Sequence, residues 1–401
     1  MLKRVMIISG ESSGELYGSL LAKTLIKRNP LIEIRGVGGE KMESAGVKLI
    51  SKITSAFGLT EAIKIYREIK KTFKNVISEL TSFTPQVIVL IDYPDFNMRV
   101  AKEAKKLGIK VLYYVSPQIW AWRKGRVNKL GKLVDNMAVI LPFEEEIYRH
   151  SNIPCEFVGH PVVDEIREVI HDLGFGIWDL GFSESATMNI KSKIRKELGL
   201  MPDRPVITLM PGSRRHEVEK LMPVMSDFMN EMRRFYPDYQ FIMPVAPNLN
   251  SETLSIINSE FKTHHSLRLT HHAIKALLAS DLAVIASGTS TLQAALLDVP
   301  MVVVYKLSPL TYFIGKLIVK IKHISLVNVI LDNSLVNDKG LRVKELLQKD
   351  VNKENIIEEI KRLISDKEYR SNILSQFQKA REFFTNKNAS LRAAEIVEEI
   401  V

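Results

Sequence analysis

The stretch Pro205–Glu219, PVITLMPGSRRHEVE, opens the second half of the chain and contains two elements in series. Val206–Met210 is an apolar run of strand length, and a Pro-Gly pair interrupts it. Beyond the break, apolar residues recur at steps of three and four from Val218 to Phe235, which is typical of an amphipathic helix. The pattern therefore predicts a strand, a glycine-containing turn and a helix.

Two arginines, Arg214 and Arg215, stand where this helix should begin. The N-terminus of a helix carries partial positive charge, so cations there are unfavourable unless an anion shares the site. Free backbone N–H groups of the first turn and a guanidinium would hold a phosphate together, with Ser213 in the same turn. The pattern indicates an anion site, although two solvated arginines on a surface loop would give the same sequence.

A second strand, turn and helix opens the chain. Arg4–Ile8 is an apolar run, Ser9–Glu15 is a turn of small and acidic residues, and leucines at helical spacing follow. An acid such as Glu11 repels phosphate, so a sugar or a hydroxyl is the better neighbour for this turn. The alternative is that Glu11 or Glu15 only complements the positive end of the helix.

Val87–Ile91 is apolar throughout, which is typical of a central strand in a parallel sheet. Asp92 follows it directly, and ligands of open α/β sheets bind at the carboxyl ends of strands. We therefore interpret Asp92 as a candidate catalytic residue. The alternative is a helix cap or turn aspartate, a role that suits Asp95 better.

A third turn rich in small residues and hydroxyls follows the apolar strand Asp281–Ile285. Such a turn suits a phosphate held against the N–H groups of the next helix. A glutamine on that helix is predicted to face the same opening, and an asparagine follows the strand-like pair Ser325–Leu326. The polar candidates in this region are Ser287, Gly288, Thr289, Gln293 and Asn328.

Composition limits the class of protein. The chain has 401 residues, of which 46% are hydrophobic and 25% charged, so we expect about two soluble domains. Its single cysteine, Cys155, allows no internal disulfide and fits a reducing compartment. A net charge of +10 would attract nucleic acid, an anionic membrane or a phosphorylated substrate, but no nucleic-acid motif is present.

Several common motifs are missing from the sequence. There is no G-x-x-x-x-G-K-[ST] loop and no G-x-G-x-x-G, which disfavours a P-loop NTPase and a standard dinucleotide enzyme. There is no D-x-D pair, so a divalent metal held on a diphosphate by carboxylates is not supported. No apolar stretch approaches the ~20 residues needed to span a bilayer. We therefore expect neither a metal nor a cofactor.

The stretch Phe57–Leu80 alternates apolar and basic residues at helical spacing. A basic amphipathic helix of this kind can lie on an anionic bilayer. It can equally pack its apolar stripe in a core and leave the basic face in water. Leu307–Lys322 is a second stretch of the same character. The residues considered for the acceptor or membrane side are Phe57, Leu59, Ile63, Lys64, Arg67, Lys70, Lys71 and Trp120.

Eight segments of the chain together resemble one known family. They are GESSGELYG, IDYPDFN, YYVSPQIWAWRKGRV, LPFEEEIY, CEFVGHP, LMPGSRRHEV, ASGTSTLQAAL and SPLTYFIGKLIVK. In order and spacing they resemble the lipid-A-disaccharide synthase family over nearly the whole chain except Val163–Lys196. The resemblance implies an α/β fold of the GT-B type, with two Rossmann-like domains whose parallel sheets face each other across a cleft.

The resemblance also implies a reaction. UDP-2,3-diacylglucosamine would donate its sugar to the 6-hydroxyl of 2,3-diacylglucosamine 1-phosphate, with inversion, to give a β-1,6 disaccharide 1-phosphate and UDP. Asp92 matches the family's proposed base, Glu11 its functional acid and Arg214 its UDP-phosphate arginine. The remaining positions on the UDP side are Ser213, Ser287, Gly288, Thr289, Gln293 and Asn328. Both substrates carry acyl chains, so a cytoplasmic enzyme attached peripherally to the inner membrane is expected.

Two positions depart from the family pattern. Gln293 stands where the family usually has a glutamate that binds the ribose, and Glu15 replaces a usual aspartate. We expect an altered ribose contact rather than loss of function.

The predicted organisation has four parts, and a homodimer is compatible with it. These are an N-terminal acceptor-side domain (1–165), a linker or insertion (166–200), a UDP-sugar-binding domain (201–370) and helices that dock back on the first domain (371–401). Two other functions are alternatives: another GT-B enzyme, such as a UDP-sugar 2-epimerase, which would release UDP without a lipid acceptor, and an inactive lipid-binding protein of the membrane surface.

Overall fold

The computed structural model describes residues 2–52, 59–117, 127–150, 153–175, 184–246, 249, 253–257, 267–307, 322–333 and 340–401, without the side chains of 59–65 and 184–187. The chain divides into two compact units. The first comprises Met1–Glu165 and Lys387–Val401, and the second comprises Ile166–Asn386. Each unit is built on a parallel sheet with helices between the strands, which confirms the predicted α/β class.

The sheet of the first unit has seven parallel strands in the order β3-β2-β1-β4-β5-β6-β7. Its centre is formed by apolar runs that are wholly buried, as expected for strands covered on both faces. The strands are β1 Arg4–Ser9, β2 Glu33–Gly38, β3 Lys48–Lys52, β4 Val87–Ile91, β5 Lys110–Tyr114, β6 Asn136–Val139 and β7 Cys155–Phe157.

The helices that connect these strands bury apolar stripes against the sheet and against each other. They are α1 Ser12–Arg28, α2 Glu40–Ser44, α3 Leu59–Ser82, α4 Pro94–Lys106, α5 Val127–Gly131, α6 Glu144–Arg149 and α7 Pro161–Asp172. The amphipathic helix predicted within Phe57–Leu80 is confirmed from Leu59 onward as α3, and residues 57–58 lie outside the described residues.

The second unit repeats the design with six strands in the order β10-β9-β8-β11-β12-β13. The strands are β8 Val206–Met210, β9 Gln240–Pro244, β10 Leu267–Thr270, β11 Leu282–Ala286, β12 Met301–Tyr305 and β13 Glu345–Leu347. The helices are α8 Glu184–Glu197, α9 Arg215–Phe235, α10 Ala273–Leu278, α11 Thr289–Leu296, α12 Leu326–Asn333, α13 Lys353–Ser365 and α14 Lys367–Glu382.

The sequence does not predict three of the four edge strands. β3, β10 and β13 are only three to five residues long, and none contains an apolar run like those of the central strands. The strand-like interpretation of Ser325–Leu326 is wrong, because α12 begins at Leu326. Ser325 is held at the start of that helix by Glu345, whose carboxylate accepts its N–H at 3.0 Å and its hydroxyl at 2.6 Å.

Two predicted segments differ from the divisions that the structure shows. The segment 166–200, interpreted as a linker or insertion, lies in the second unit and contains most of α7 and all of α8, with Ile170, Ile190 and Ile194 buried. The C-terminal segment 371–401 is split between the units. Residues 371–386 belong to the second unit, whereas helix α15, Ala389–Glu399, belongs to the first.

Polar contacts anchor α15 to the first unit. The backbone N–H and the hydroxyl of Ser390 both donate to one oxygen of the buried Asp164, each at 2.7 Å. Arg392 forms a two-pronged ion pair with Glu156, and Arg28 of α1 forms another with Glu398. Bidentate geometry of this kind fixes the position of a helix more closely than single ion pairs do.

His160 lies in the turn between β7 and α7 and is 1% exposed. Its Nδ1 accepts the N–H of Val162 at 3.2 Å, and its ring meets Tyr17 edge to face at 5.8 Å. Burial lowers the pKa of His160 to about 3 because the charged imidazolium would lose its hydration. His160 is therefore a neutral, structural histidine.

We predict that this histidine makes stability depend on pH. The unfolded chain binds a proton at His160 below about pH 6.5, whereas the folded chain does not until about pH 3. The free energy of unfolding should therefore be greatest above pH 6.5 and fall by up to about 1.4 kcal/mol per pH unit between these values. Urea unfolding from pH 7 to pH 4 measures this slope, which His160→Gln should reduce. Equal slopes in both proteins would contradict the assignment.

Candidate active site

The strand order reverses once in each sheet, between β1 and β4 and between β8 and β11. In open α/β sheets, ligands bind outside the carboxyl ends of the strands at such a reversal. The turns that follow these four strands contain most of the polar residues singled out in the sequence. Each unit therefore presents one candidate binding site.

In the first unit, the reversal brings Glu11 and Asp92 onto neighbouring turns. Ser9 of β1 pairs with Ile91 of β4, so Glu11 lies two residues beyond one strand and Asp92 one residue beyond the other. Glu11 is the exposed N-cap residue of α1. The two predicted catalytic acids therefore lie on adjacent turns at the same edge of the sheet.

Tyr93 completes this group. Burial and the neighbouring Glu11 carboxylate raise the pKa of the Tyr93 phenol. Its ring stacks on Phe96 at 5.0 Å and leaves no space for a side chain at Gly10, where a Cβ would lie 2.3 Å from the ring. A small cavity of about 30 Å³ adjoins the group, and its lining includes Ser9, Gly10, Tyr93 and Phe96.

The backbone at these strand ends is strained. Asp92 and Tyr93 have φ angles of 47° and 50°, and Val115, just after β5, has 66°. This left-handed region is unfavourable for residues other than glycine, at a cost of about 1–3 kcal/mol each, and it is rarest for β-branched residues such as valine. Tyr93, not Asp92, is the N-cap of α4, so the alternative of a helix-capping Asp92 is wrong.

In the second unit, the predicted phosphate turn already holds an anion of its own. The buried carboxylate of Glu217 accepts the backbone N–H of Ser213 at 3.1 Å and that of Arg214 at 3.3 Å. These two N–H groups, which precede the first turn of α9, therefore already have an acceptor. An acid three residues after an N-cap is the signal that identifies this contact in a sequence.

Arg214 is the N-cap residue of α9, and 45% of its side chain is exposed. Its guanidinium lies 3.8 Å from Glu217, and both charges act on the pKa of Tyr305 at the end of β12. Burial and Glu217 raise that pKa, and Arg214 opposes them. The exposed part of the Arg214 guanidinium is therefore a place at which an anion can approach this turn.

The turn after β11 lies beside the Arg214 turn, because Ile285 pairs with Met210. The Ser287 hydroxyl donates to the carbonyl of Ile324 at 2.7 Å. Thr291, which the sequence does not single out, donates to the carbonyl of Gly288 at 2.8 Å and accepts the N–H of Leu326 at 3.1 Å. These contacts tie the Ser287–Thr289 turn to the start of α12.

Asn328 and Gln293 lie in the interior of this unit. Asn328 is fully buried, and its amide donates to the carbonyl of Val343 at 2.9 Å and to Glu345 at 2.8 Å. Its oxygen accepts the N–H of Val343 at 3.0 Å. Asn328 therefore supports the turn from behind rather than facing an opening. Gln293, predicted to face a ligand, is 7% exposed on α11.

The family model described as lipid-A-disaccharide synthetase matches residues 5–399 of the chain. The chain belongs to the lipid-A-disaccharide synthase family. The lipid-A-disaccharide synthases of Geobacter metallireducens and Coxiella burnetii strain Dugway are each 36% identical to it. These matches cover 100% of this chain and 97% and 99% of the two relatives.

Solved structures show the fold in which this family member is built. A UDP-GlcNAc 2-epimerase from Neisseria meningitidis, bound to UDP-GlcNAc, superposes with a TM-score of 0.62 at 14% identity, covering 99% of this chain and 98% of that one. The glycotransferase of kitacinnamycin gives 0.58 at 12%, covering 100% and 99%. The fold is therefore GT-B-like, and membership in the synthase family makes the chain a UDP-sugar glycosyltransferase of lipid A biosynthesis.

The structure describes part of the predicted membrane side of this synthase-family chain. Phe57 and Trp120 lie outside the described residues, as do the side chains of Leu59, Ile63 and Lys64 in α3. Farther along α3, the basic residues Arg67, Lys70 and Lys71 are exposed.

The apolar stripe of α3 points the other way. Val76 and Leu80 are fully buried, and Phe73 packs edge to face on Phe96. The described half of α3 therefore uses its apolar face for packing and leaves its basic face in water. Among the helices of the described ranges, none has the length and apolar character needed to cross a bilayer.

Substitution of Gly212 tests the contact between the Arg214 turn and Glu217. Its φ is 109°, and a Cβ there would lie 2.2 Å from Glu217 Oε2. We predict that Gly212→Ala weakens UDP binding and stability by more than the ~1–2 kcal/mol of a left-handed alanine alone. Titration calorimetry with UDP and thermal unfolding measure the two effects.

The matched control is Gly174→Ala in the same unit. Gly174 is also left-handed, with φ of 80°, but an added Cβ would meet nothing within 4 Å. The Gly174→Ala variant should lose only the stability that a left-handed alanine costs, and it should bind UDP as tightly as wild type. Equal effects of the two substitutions would contradict a special role for the Gly212–Glu217 contact.

Proposed function

We propose that the protein transfers 2,3-diacylglucosamine from UDP to the 6-hydroxyl of 2,3-diacylglucosamine 1-phosphate, forming a β-1,6 disaccharide 1-phosphate and UDP. The observation that carries this proposal is the family match over residues 5–399, with relatives 36% identical along the full chain. Likeness to 2-epimerases rests on fold alone at 14% identity, so it does not favour an epimerase.

Asp92 is the proposed base. Its carboxylate takes the proton of the acceptor 6-hydroxyl as that oxygen attacks the anomeric carbon of the donor. The bond from the anomeric carbon to the UDP oxygen breaks on the opposite face, and its electron pair leaves with UDP. One displacement inverts the configuration, so a single base is sufficient.

Glu11 is proposed to contact the acceptor sugar, and Arg214 is proposed to contact the diphosphate of UDP. Glu11 is an exposed acid on the turn adjacent to that of Asp92, so it can accept hydrogen bonds from the acceptor sugar but would repel a diphosphate. Arg214 presents an exposed guanidinium, which would stabilise the negative charge that develops on UDP. Acceptor and nucleotide are thus assigned to the first and second units.

The basic face of α3 is proposed to attach the enzyme to anionic membrane lipids, from which both acylated substrates would come. The support is the exposure of Arg67, Lys70 and Lys71 on the side of the helix opposite its buried apolar stripe. Over the described half of α3, this attraction is electrostatic, since Val76 and Leu80 are already used in packing.

The first test is turnover of UDP-2,3-diacylglucosamine and its 1-phosphate acceptor in detergent micelles. Wild type should form the disaccharide, and Asp92→Asn should lower kcat by about 10²–10⁴-fold, because the amide cannot accept the proton. Asp95→Asn, in the exposed first turn of α4, is the matched control and should retain activity. An epimerase would instead release UDP without acceptor, and an inactive binding protein would give no turnover.

Membrane attachment is tested by co-sedimentation with vesicles containing anionic phospholipid. Reversal of two charges in Lys70→Glu/Lys71→Glu should weaken binding at least ~10-fold, since each basic residue near the surface contributes about 1 kcal/mol. Lys349→Glu/Lys367→Glu makes the same charge change on exposed lysines of the second unit and should bind normally. Equal loss in the two variants would show that net charge, not this face, drives binding.

A further inference from the structure

The left-handed turn at Asp92-Tyr93 needs partners that hold it, because the backbone there is unfavourable by itself. Hydrogen bonds hold the Asp92 backbone at both its carbonyl and its N–H. Its carbonyl accepts the Tyr113 hydroxyl and the Asn97 side-chain amide, each at 2.7 Å, and its N–H donates to the carbonyl of Val115 at 3.2 Å. The peptide is therefore fixed from both sides.

Tyr113 reaches this carbonyl from the adjacent strand. It lies on β5, pairs with Leu90 of β4 and is fully buried. Burial, and then the negative charge of Asp92, raise the pKa of the Tyr113 phenol well above its ordinary value. The hydroxyl therefore keeps its proton and remains a hydrogen-bond donor at any pH at which the enzyme works.

Asn97 holds the same turn from the helix that follows it. Its side-chain amide donates to the carbonyl of Ile91 at 3.2 Å as well as to that of Asp92, and its backbone N–H donates to Tyr93 at 2.9 Å. The carbonyls of Ile91, Asp92 and Tyr93 thus all accept hydrogen bonds from Asn97, which is fully buried. The turn cannot relax to an extended backbone without breaking these bonds.

We infer that Tyr113 and Asn97 are positioning residues that set the direction in which the Asp92 side chain leaves the backbone. The inference rests on the proposed role of Asp92 as the base. A left-handed residue presents its Cα–Cβ bond differently from an extended one, so relaxation of the turn would move the carboxylate away from the acceptor hydroxyl. Misplacement of a reacting group by about 1 Å can reduce the rate about 10²-fold.

The variant Tyr113→Phe tests this with the least change of shape. It removes one hydroxyl and its bond to Asp92, and we expect kcat to fall between about 10- and 100-fold with little change in the KM of the donor. Tyr114→Phe is the matched control on the next residue of β5. Tyr114 is also fully buried, but its hydroxyl lies beside Asp164 and Ser390, away from the turn. Tyr114→Phe should keep kcat close to wild type.

Asn97→Ala is a second variant for which we expect the same result, a reduced kcat with a similar affinity for UDP. In the Asp92→Asn background, Tyr113→Phe should cause no further loss, because a positioning residue acts only through the group that it positions. Equal activity of Tyr113→Phe and Tyr114→Phe, with Asp92→Asn inactive, would overturn the inference and leave the base in place. An additive loss in the double variant would also overturn it.

Hydrogen exchange of the amides over residues 92–97 separates failure of this inference from failure of the proposed function. Tyr113→Phe should speed exchange in this segment, and Tyr114→Phe should not. This readout needs no substrate, so it stands even if wild type forms no disaccharide. Unchanged exchange in Tyr113→Phe would overturn the inference whatever the activity. An active Asp92→Asn would remove the base and the inference together.

Discussion

The structure depends on strands that are buried on both faces. Runs such as Val87–Ile91 and Leu282–Ala286 have no exposed side, so polar side chains are excluded from them and gather where the strands end. Because all pairings in both sheets are parallel, the carboxyl ends within each sheet meet at one edge. The reversal of strand order then decides which turns become neighbours, and it selects Glu11 with Asp92 and Arg214 with Ser287.

Polar groups of the chain itself satisfy these strand ends. Glu217 accepts the N–H groups of Ser213 and Arg214. Asn97 donates to three carbonyls of the turn after β4. Glu345 accepts hydrogen bonds from Ser325 and Asn328 behind the turn after β11. All are buried or nearly so, which makes each contact costly to lose. The charged groups at the two candidate sites are of opposite sign: the acids Glu11 and Asp92 in the first unit, and the Arg214 guanidinium in the second.

Much of this could be predicted from sequence because it follows from local pattern. Apolar runs predict the central strands, periodicity predicts α3 and α9, and the position of Asp92 after an apolar run predicts its place at a strand end. What escaped prediction depends on contacts between distant residues. Nothing in the neighbourhood of Tyr113 shows that its hydroxyl meets the Asp92 carbonyl. The family resemblance assigns Asn328 to the UDP side, and only its contacts with Val343 and Glu345 show that it is buried. Glu217 is the exception, since its spacing from Arg214 is a readable cap signal.

The assignment of Lys387–Val401 to the first unit has a consequence for how the chain folds during synthesis. The second unit is a continuous segment, Ile166–Asn386, and has all its residues once that segment leaves the ribosome. The first unit is complete only when α15 brings Ser390 to Asp164 and Arg392 to Glu156. Domains usually mature in the order of their translation, from the N-terminus onward. The first unit therefore starts before the second and is completed after it, with α1 left uncovered on its α15 side until Ala389–Glu399 has emerged.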